Sequence, residues 1–133
     1  LASFPESNPK WADEKLAHRW EALLEVRTSV QASLEEKRRE KVIGSSLEAR
    51  IVIDANPDRY EFLKKCSHDL PAIFIVSDVE LHQVHSLPIK PDFAVKVEKA
   101  SGKKCERCWN YRPAVGTFTN HPTLCDRCVE AIR

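Results

Sequence analysis

Residues 103–130 read KKCERCWNYRPAVGTFTNHPTLCDRCVE, and the cysteines in this stretch decide how the C-terminal part of the chain folds. Two C-x-x-C pairs, Cys105 with Cys108 and Cys125 with Cys128, are separated by sixteen residues, a spacing typical of zinc sites with four cysteine ligands. Four thiolates fill the tetrahedral coordination sphere of zinc and leave no position for water or substrate. We therefore predict one zinc ion with a structural role.

The rest of this tail is poor in apolar residues. Its candidate core residues are Trp109, Tyr111, Val115, Phe118, Leu124, Val129 and Ile132. So few side chains are not expected to offset the conformational entropy of the tail, and metal binding would supply the difference. His121 is the alternative fourth ligand, in place of one cysteine.

Composition excludes some partners and favours a reducing compartment. The 133 residues carry 21 Lys and Arg against 20 Asp and Glu, so the chain as a whole has no strong field to attract nucleic acid or a membrane. No apolar run approaches the roughly 18 residues of a membrane span. A fifth cysteine, Cys66, beside two zinc-type pairs favours cytosol or an organelle matrix over a secreted disulfide scaffold. Methionine is absent and the chain starts at Leu1, which suggests a piece of a longer protein.

The patterning predicts an α+β fold in three regions: a long helix, a small β-α-β-β unit and a four-cysteine zinc finger. The helix is predicted over residues 11–43, followed by Gly44, with one apolar face. That face consists of Leu16, Trp20, Leu23, Val30 and Leu34, flanked by Leu24. It either completes a bundle whose other helices lie outside this chain or packs on the segment that follows. We place the domain boundaries at 1–46, 47–100 and 101–133.

The middle region alternates strand and helix signals. Apolar alternation predicts strands over residues 47–53 and 93–97, and the apolar run 72–76 predicts a buried strand, with Val79 and Leu81 extending it or starting another. Asn56-Pro57 predicts the start of a short helix that ends near Cys66. Ser101-Gly102 is a candidate hinge into the zinc finger.

Four residues around the cysteines are candidates for contact with nucleic acid: Arg107, Trp109, Arg112 and Arg127. Arg107 and Arg127 lie inside the two C-x-x-C pairs, where they either stabilise the thiolates or contact phosphate and base edges. Trp109 either covers the metal site as a lid or stacks on an unpaired base. Catalytic interpretations find no support, because the chain lacks the H-x-E motif of zinc deaminases and any Gly-rich phosphate loop.

Three segments of the chain resemble the C-terminal end of bacterial-type isoleucyl-tRNA synthetases. LASFP at 1–5 with WEALLEVR at 20–27 is similar to the end of the anticodon-binding helical bundle, and KVIGSSLEA at 41–49 is similar to the junction that follows. KCERCW at 104–109, with the second cysteine pair, is similar to the terminal zinc finger of the family. A similar finger closes formamidopyrimidine-type DNA glycosylases, so the upstream segments favour the synthetase.

The resemblance implies a cytoplasmic, monomeric parent enzyme that attaches isoleucine to its tRNA with ATP. The ATP-site signatures of the family are absent here, so the chain itself is expected to be inactive and to recognise the anticodon loop of tRNA(Ile). The resemblance implies zinc ligation by the four cysteines and anticodon contact by Arg107 and Trp109; Arg112 and Arg127 extend that surface by charge and position. The alternatives are a purely structural zinc module and a DNA-binding finger of the glycosylase type.

Overall fold

A computed structural model describes residues 2–133, so Leu1 of the first resembling segment lies outside the described residues. The helices are α1 (Glu14–Arg39), α2 (Pro57–Lys65), α3 (Leu70–Phe74) and α4 (Asp126–Ala131). The strands are β1 (Ala49–Ala55), β2 (Asp78–Gln83), β3 (Phe93–Lys99), β4 (Lys103–Lys104) and β5 (Tyr111–Arg112). The predicted α+β class, with a long helix, a small sheet and a four-cysteine tail, is confirmed. Between residues 2 and 133, none of the helices combines the length and the hydropathy of a membrane-spanning segment.

α1 is shorter at both ends than the prediction of residues 11–43. It begins at Glu14 because the Asp13 carboxylate caps it, accepting the N–H of Leu16 at 3.0 Å. It ends before Lys41, whose φ of 58° turns the chain into the left-handed region. The N–H groups of Lys41 and Val42 then bond back to the carbonyls of Arg38 and Lys37, as in a Schellman closure. Lys41 therefore stops the helix three residues before Gly44.

The apolar face of α1 is buried only along its second part. Leu23, Val30 and Leu34 are buried as predicted and Val26 joins them, all in one cluster with the sheet. Leu16, Trp20 and Leu24 are instead 45–48% exposed. The segment that follows α1 therefore covers only the second part of the predicted apolar face, because the sheet and α3 lie under only that part of the helix.

The sheet is three-stranded in the order β2-β1-β3, with β1 parallel to β2 and antiparallel to β3. Its buried face consists of the alternate residues of the central strand, namely Ala49, Ile51, Ile53 and Ala55. The opposite face carries charged residues around the buried Val52: Arg50 of β1 forms ion pairs with Asp78, Glu80 and Glu98 of its neighbours. The predicted strand over 93–97 is confirmed as β3, and Val79 and Leu81 start a strand of their own, β2.

The apolar run 72–76 is not a strand, which corrects the prediction. Residues up to Phe74 belong to α3, and Ile75 leaves it with a φ of 58°. Pro71 suits the first turn of a helix, and the four-residue step from Leu70 to Phe74 buries both side chains on one face. Side chains of α1 satisfy the free carbonyls at its end, since Gln31 donates to Phe74 O at 3.0 Å.

α2 is confirmed close to its predicted bounds, beginning with Pro57 in its first turn and ending at Lys65. α2 and α3 together form the crossover that parallel pairing of β1 with β2 requires. The unit is therefore β-α-α-β-β, one helix more than predicted. The crossover ends at Ser77, on the side of the sheet that meets the zinc finger.

Candidate metal centre and nucleic-acid surface

The first cysteine pair lies on a tight turn that follows β4. The Trp109 N–H donates to Cys105 O at 2.8 Å, and the Cys105 N–H donates to Asn110 O at 2.9 Å. This closure forces Trp109 into the left-handed region, with a φ of 65°. The turn thereby places the sulfurs of Cys105 and Cys108 on its inner side.

The second pair belongs to the start of α4. Cys125 is the N-cap residue of this helix and Cys128 lies in its first turn. The two turns are tied together, because the Glu106 N–H donates to Thr123 O at 3.1 Å. Local backbone geometry therefore delivers two sulfurs from a turn and two from a helix start.

All four sulfurs converge within 4.8 Å of one another. The Cys108 and Cys125 sulfurs are 3.7 Å apart. Sulfurs placed 2.3 Å from a central zinc ion in a tetrahedron have edges of about 3.8 Å, so this separation fits a shared ion. A disulfide would need about 2.05 Å, and all five cysteines of the chain are free. His121 lies outside the cluster.

The environment of the cluster favours at least one thiolate. Burial raises the pKa of Cys105, but N–H groups around Cys108, Cys125 and Arg107 outweigh it and lower that pKa to about 6. One of these bonds runs from the Cys125 N–H to the Cys105 sulfur at 3.4 Å. Burial raises the pKa of Cys125 to about 12, and a metal ion that binds this sulfur would displace its proton. The site is chemically suited to one zinc ion and closed to further ligands.

Arg107 and Trp109 occupy different environments on the first turn. The Arg107 guanidinium lies 3.7 Å from the Cys128 sulfur, where it offsets thiolate charge. The indole of Trp109 is 59% exposed and therefore does not form a closed lid over the metal. The Lys104 ammonium lies 4.7 Å from the centre of the indole ring, a cation–π contact. Lys104 was missed in the sequence, although it directly precedes the first cysteine.

Arg112 and Arg127 share a cleft that Arg107 and Trp109 do not line. Both line a cleft of about 610 Å³ between the finger and the segment that joins α2 to β2. The acidic residues that line the same cleft are Asp69, Asp78, Asp126 and Glu130. The Nε atom of Arg112 is buried and makes no hydrogen bond among the described residues. The structure thus separates the four predicted contact residues into two pairs.

Residues 102–131 match the family described as "Zinc finger found in FPG and IleRS". The isoleucine–tRNA ligase of Geobacter sulfurreducens is 40% identical over 138 residues, covering 100% of this chain and 15% of that protein. The isoleucine–tRNA ligase of Syntrophotalea carbinolica is 44% identical over 137 residues, covering 99% and 15%. That of Symbiobacterium thermophilum is 43% identical over 143 residues, again 99% and 15%.

The chain spans about 15% of the length of the curated relatives it matches. These matches run through the helix and the sheet as well as the finger, and all three relatives carry the same name. The four clustered cysteines are what a zinc finger requires. Residues 102–131 match the zinc finger found in FPG and IleRS. The chain as a whole therefore belongs to the isoleucine–tRNA ligase family, and it matches the C-terminal part of the members of that family.

Proposed function

We propose that this chain is the tRNA-recognition part of an isoleucine–tRNA ligase, the enzyme that attaches isoleucine to its tRNA with ATP. The observation that carries the proposal is the Trp109 indole, held largely exposed on the turn of a candidate zinc site with a lysine ammonium over one face. An exposed aromatic ring beside a cation is suited to an unpaired nucleobase, which stacks on the ring while the cation attracts its phosphate. The anticodon loop of tRNA(Ile) offers such bases.

In this proposal Cys105, Cys108, Cys125 and Cys128 ligate one structural zinc ion. The ion fixes the turn that carries Trp109, and its closed sphere leaves the chemistry of amino-acid activation to the rest of the enzyme. Arg107 acts in two ways: it offsets the charge of the sulfurs, and its remaining N–H groups contact RNA. Support for this comes from its exposed position beside Cys128.

Arg112 and Arg127 form a second proposed RNA contact. Both line a cleft open to solvent, and neither forms an ion pair among the described residues. Four carboxylates in the same cleft weaken its attraction for phosphate. We therefore expect these two arginines to contribute less to tRNA binding than Trp109 and Arg107.

The remaining regions connect the finger to the parent enzyme. We propose that residues 1–46 complete the helical anticodon-binding bundle, that 47–100 form a junction domain and that 101–133 form the finger. The exposed Leu16, Trp20 and Leu24 are then covered by the part of the synthetase that precedes this chain. The parent is proposed to act as a cytoplasmic monomer whose partner is tRNA(Ile).

The test is Trp109→Ala in the full-length synthetase. The binding free energy of tRNA(Ile) should weaken by about 1–3 kcal/mol, the stacking contribution of one base, while the rate of isoleucine activation stays unchanged. Ile89→Ala is the control, because Ile89 is also exposed (91%) but lies between β2 and β3, outside the proposed anticodon-binding bundle and the finger. Unchanged tRNA affinity in Trp109→Ala would favour a purely structural zinc module.

A further inference from the structure

The zinc finger is held against the sheet by one buried hydroxyl. Ser77, between α3 and β2, is 6% exposed and is the buried polar residue of the described chain. Its Oγ donates to Leu47 O and accepts the backbone N–H of Tyr111 at 2.8 Å. Its own N–H donates to Ala49 O at 3.1 Å. Ser77 thus ties the start of β1 to β5 of the finger.

Gly102, at the start of the finger, lies against the backbone at the end of the same strand, β5. Gly102 has a φ of 89°, and a Cβ atom built on it would lie 2.2 Å from the carbonyl carbon of Arg112 and 2.4 Å from the nitrogen of Pro113. No side chain fits in that space without moving the backbone. The chain therefore leaves β3 and enters the finger in direct backbone contact with the end of β5.

β5, the strand that Ser77 and Gly102 contact, lies next to the proposed RNA-binding surface. β5 begins two residues after Trp109, and it pairs with β4 so that Tyr111 lies opposite Lys104. Lys104 in turn lies over the Trp109 ring. A rotation of the whole finger relative to the sheet would therefore turn Lys104 and Trp109 together and leave the arrangement of the four sulfurs unchanged.

We propose that Ser77, which ties the finger to the sheet, and Gly102, which fixes the entry of the chain into the finger, form a clamp that sets the direction in which the finger presents Trp109 to tRNA, with Ser77 as a positioning residue. This inference rests on the proposed function of the finger. The zinc ion gives the finger its internal shape, whereas the clamp gives the finger its orientation. Loss of the clamp should weaken tRNA binding and leave the metal site intact.

The experiment uses the zinc-loaded, full-length synthetase with Ser77→Ala and Gly102→Ala made separately. Each variant should raise the Kd for tRNA(Ile) about three- to tenfold, the effect of losing one or two ordering contacts. Zinc content, the thiolate-to-metal absorption of the cobalt-substituted enzyme and the rate of isoleucine activation should stay unchanged. Hydrogen exchange of the Tyr111 amide should accelerate in both variants. Ser77→Ala removes the acceptor of this N–H, and Gly102→Ala displaces the strand that carries it.

Matched controls distinguish loss of the Ser77 and Gly102 contacts from a nonspecific loss of stability. Ser86→Ala removes an exposed hydroxyl between β2 and β3, away from the finger and from the cleft that Arg112 and Arg127 line. Gly116→Ala puts the same left-handed strain into the finger (φ of 101°), where the added Cβ meets nothing closer than 4.0 Å. Neither control should change the Kd. Ser77→Thr, which keeps the hydroxyl, should restore affinity close to that of the unaltered enzyme.

The outcomes distinguish the two proposals. If Trp109→Ala weakens tRNA binding and the Ser77 and Gly102 variants bind as the unaltered enzyme does, the clamp is overturned and the RNA-binding function stands. Loss of zinc or of the cobalt spectrum in both clamp variants would also overturn it, since the contacts would then maintain the metal site. If Trp109→Ala has no effect either, the RNA-binding function fails and the positioning role fails with it.

Discussion

The sheet region and the zinc finger bury very different amounts of apolar surface. The cluster formed by α1, α2, α3 and the sheet contains fifteen buried residues, among them Ile51, Leu63 and Phe74 with no exposed surface. The cluster of the finger contains four, and three of them are the cysteines 105, 125 and 128. The first region is therefore stabilised by apolar burial, and the second depends on the ion that its sulfurs would hold.

Removal of the metal should have the largest effect, and it should be confined to the finger. Cys105→Ser is expected to abolish zinc binding and unfold residues 103–131, because structural zinc contributes about 10–16 kcal/mol in small fingers. The amide resonances of residues 49–99 should keep their dispersion in a two-dimensional NMR spectrum. The measurement is zinc content by elemental analysis together with that spectrum.

Cys66→Ala is the matched control for this substitution. Cys66 is also buried, at 6% exposure, but it lies in the apolar cluster of the sheet region. This variant should retain one equivalent of zinc and a folded finger. If the finger stays folded in metal-free Cys105→Ser, it does not depend on the metal ion for its stability, and the proposed difference between the two regions is wrong.

Truncation of a buried side chain in the apolar cluster should destabilise the sheet region and leave the zinc site intact. Phe74→Ala is expected to lower the free energy of unfolding of the sheet region by about 3–5 kcal/mol, because the buried ring leaves a cavity. Zinc content should stay at one equivalent. Urea titration followed by circular dichroism, with zinc measured on the same samples, tests both expectations.

Ile75→Ala is the neighbouring control. Ile75 follows α3 and is 50% exposed, so its truncation should cost about 1 kcal/mol or less. Equal decreases in the free energy of unfolding for Phe74→Ala and Ile75→Ala would contradict a helix that buries Phe74 and leaves Ile75 half exposed. Loss of zinc in Phe74→Ala would show that the two regions unfold as one unit.

The sequence predicted best what local spacing determines. Each C-x-x-C pair, the proline that opens α2 and the alternation of β3 act over a few residues, and the sixteen residues between the two pairs match a known zinc-site spacing. The run 72–76 was misread because five apolar residues suit a buried strand and a buried helix equally, and Pro71 with the α1 side chains decides between them. The Ser77 contact joins residues 34 positions apart, and no local pattern indicates it.

The smallest expected effect has the opposite sign and concerns the end of α1. Lys41 is exposed and held at a φ of 58°, which costs a residue with a Cβ about 1–2 kcal/mol. Lys41→Gly should therefore raise the stability of the sheet region by about 0.5–1 kcal/mol, after the greater freedom of glycine in the unfolded chain is subtracted. Ala32→Gly, at an exposed position inside the same helix, should instead lower it by about 1 kcal/mol. Thermal unfolding of the three proteins measures both changes, and zinc affinity should be the same in all of them because α1 contributes to the apolar cluster and not to the finger. If both glycines destabilise the protein alike, the left-handed closure at Lys41 does not end the helix.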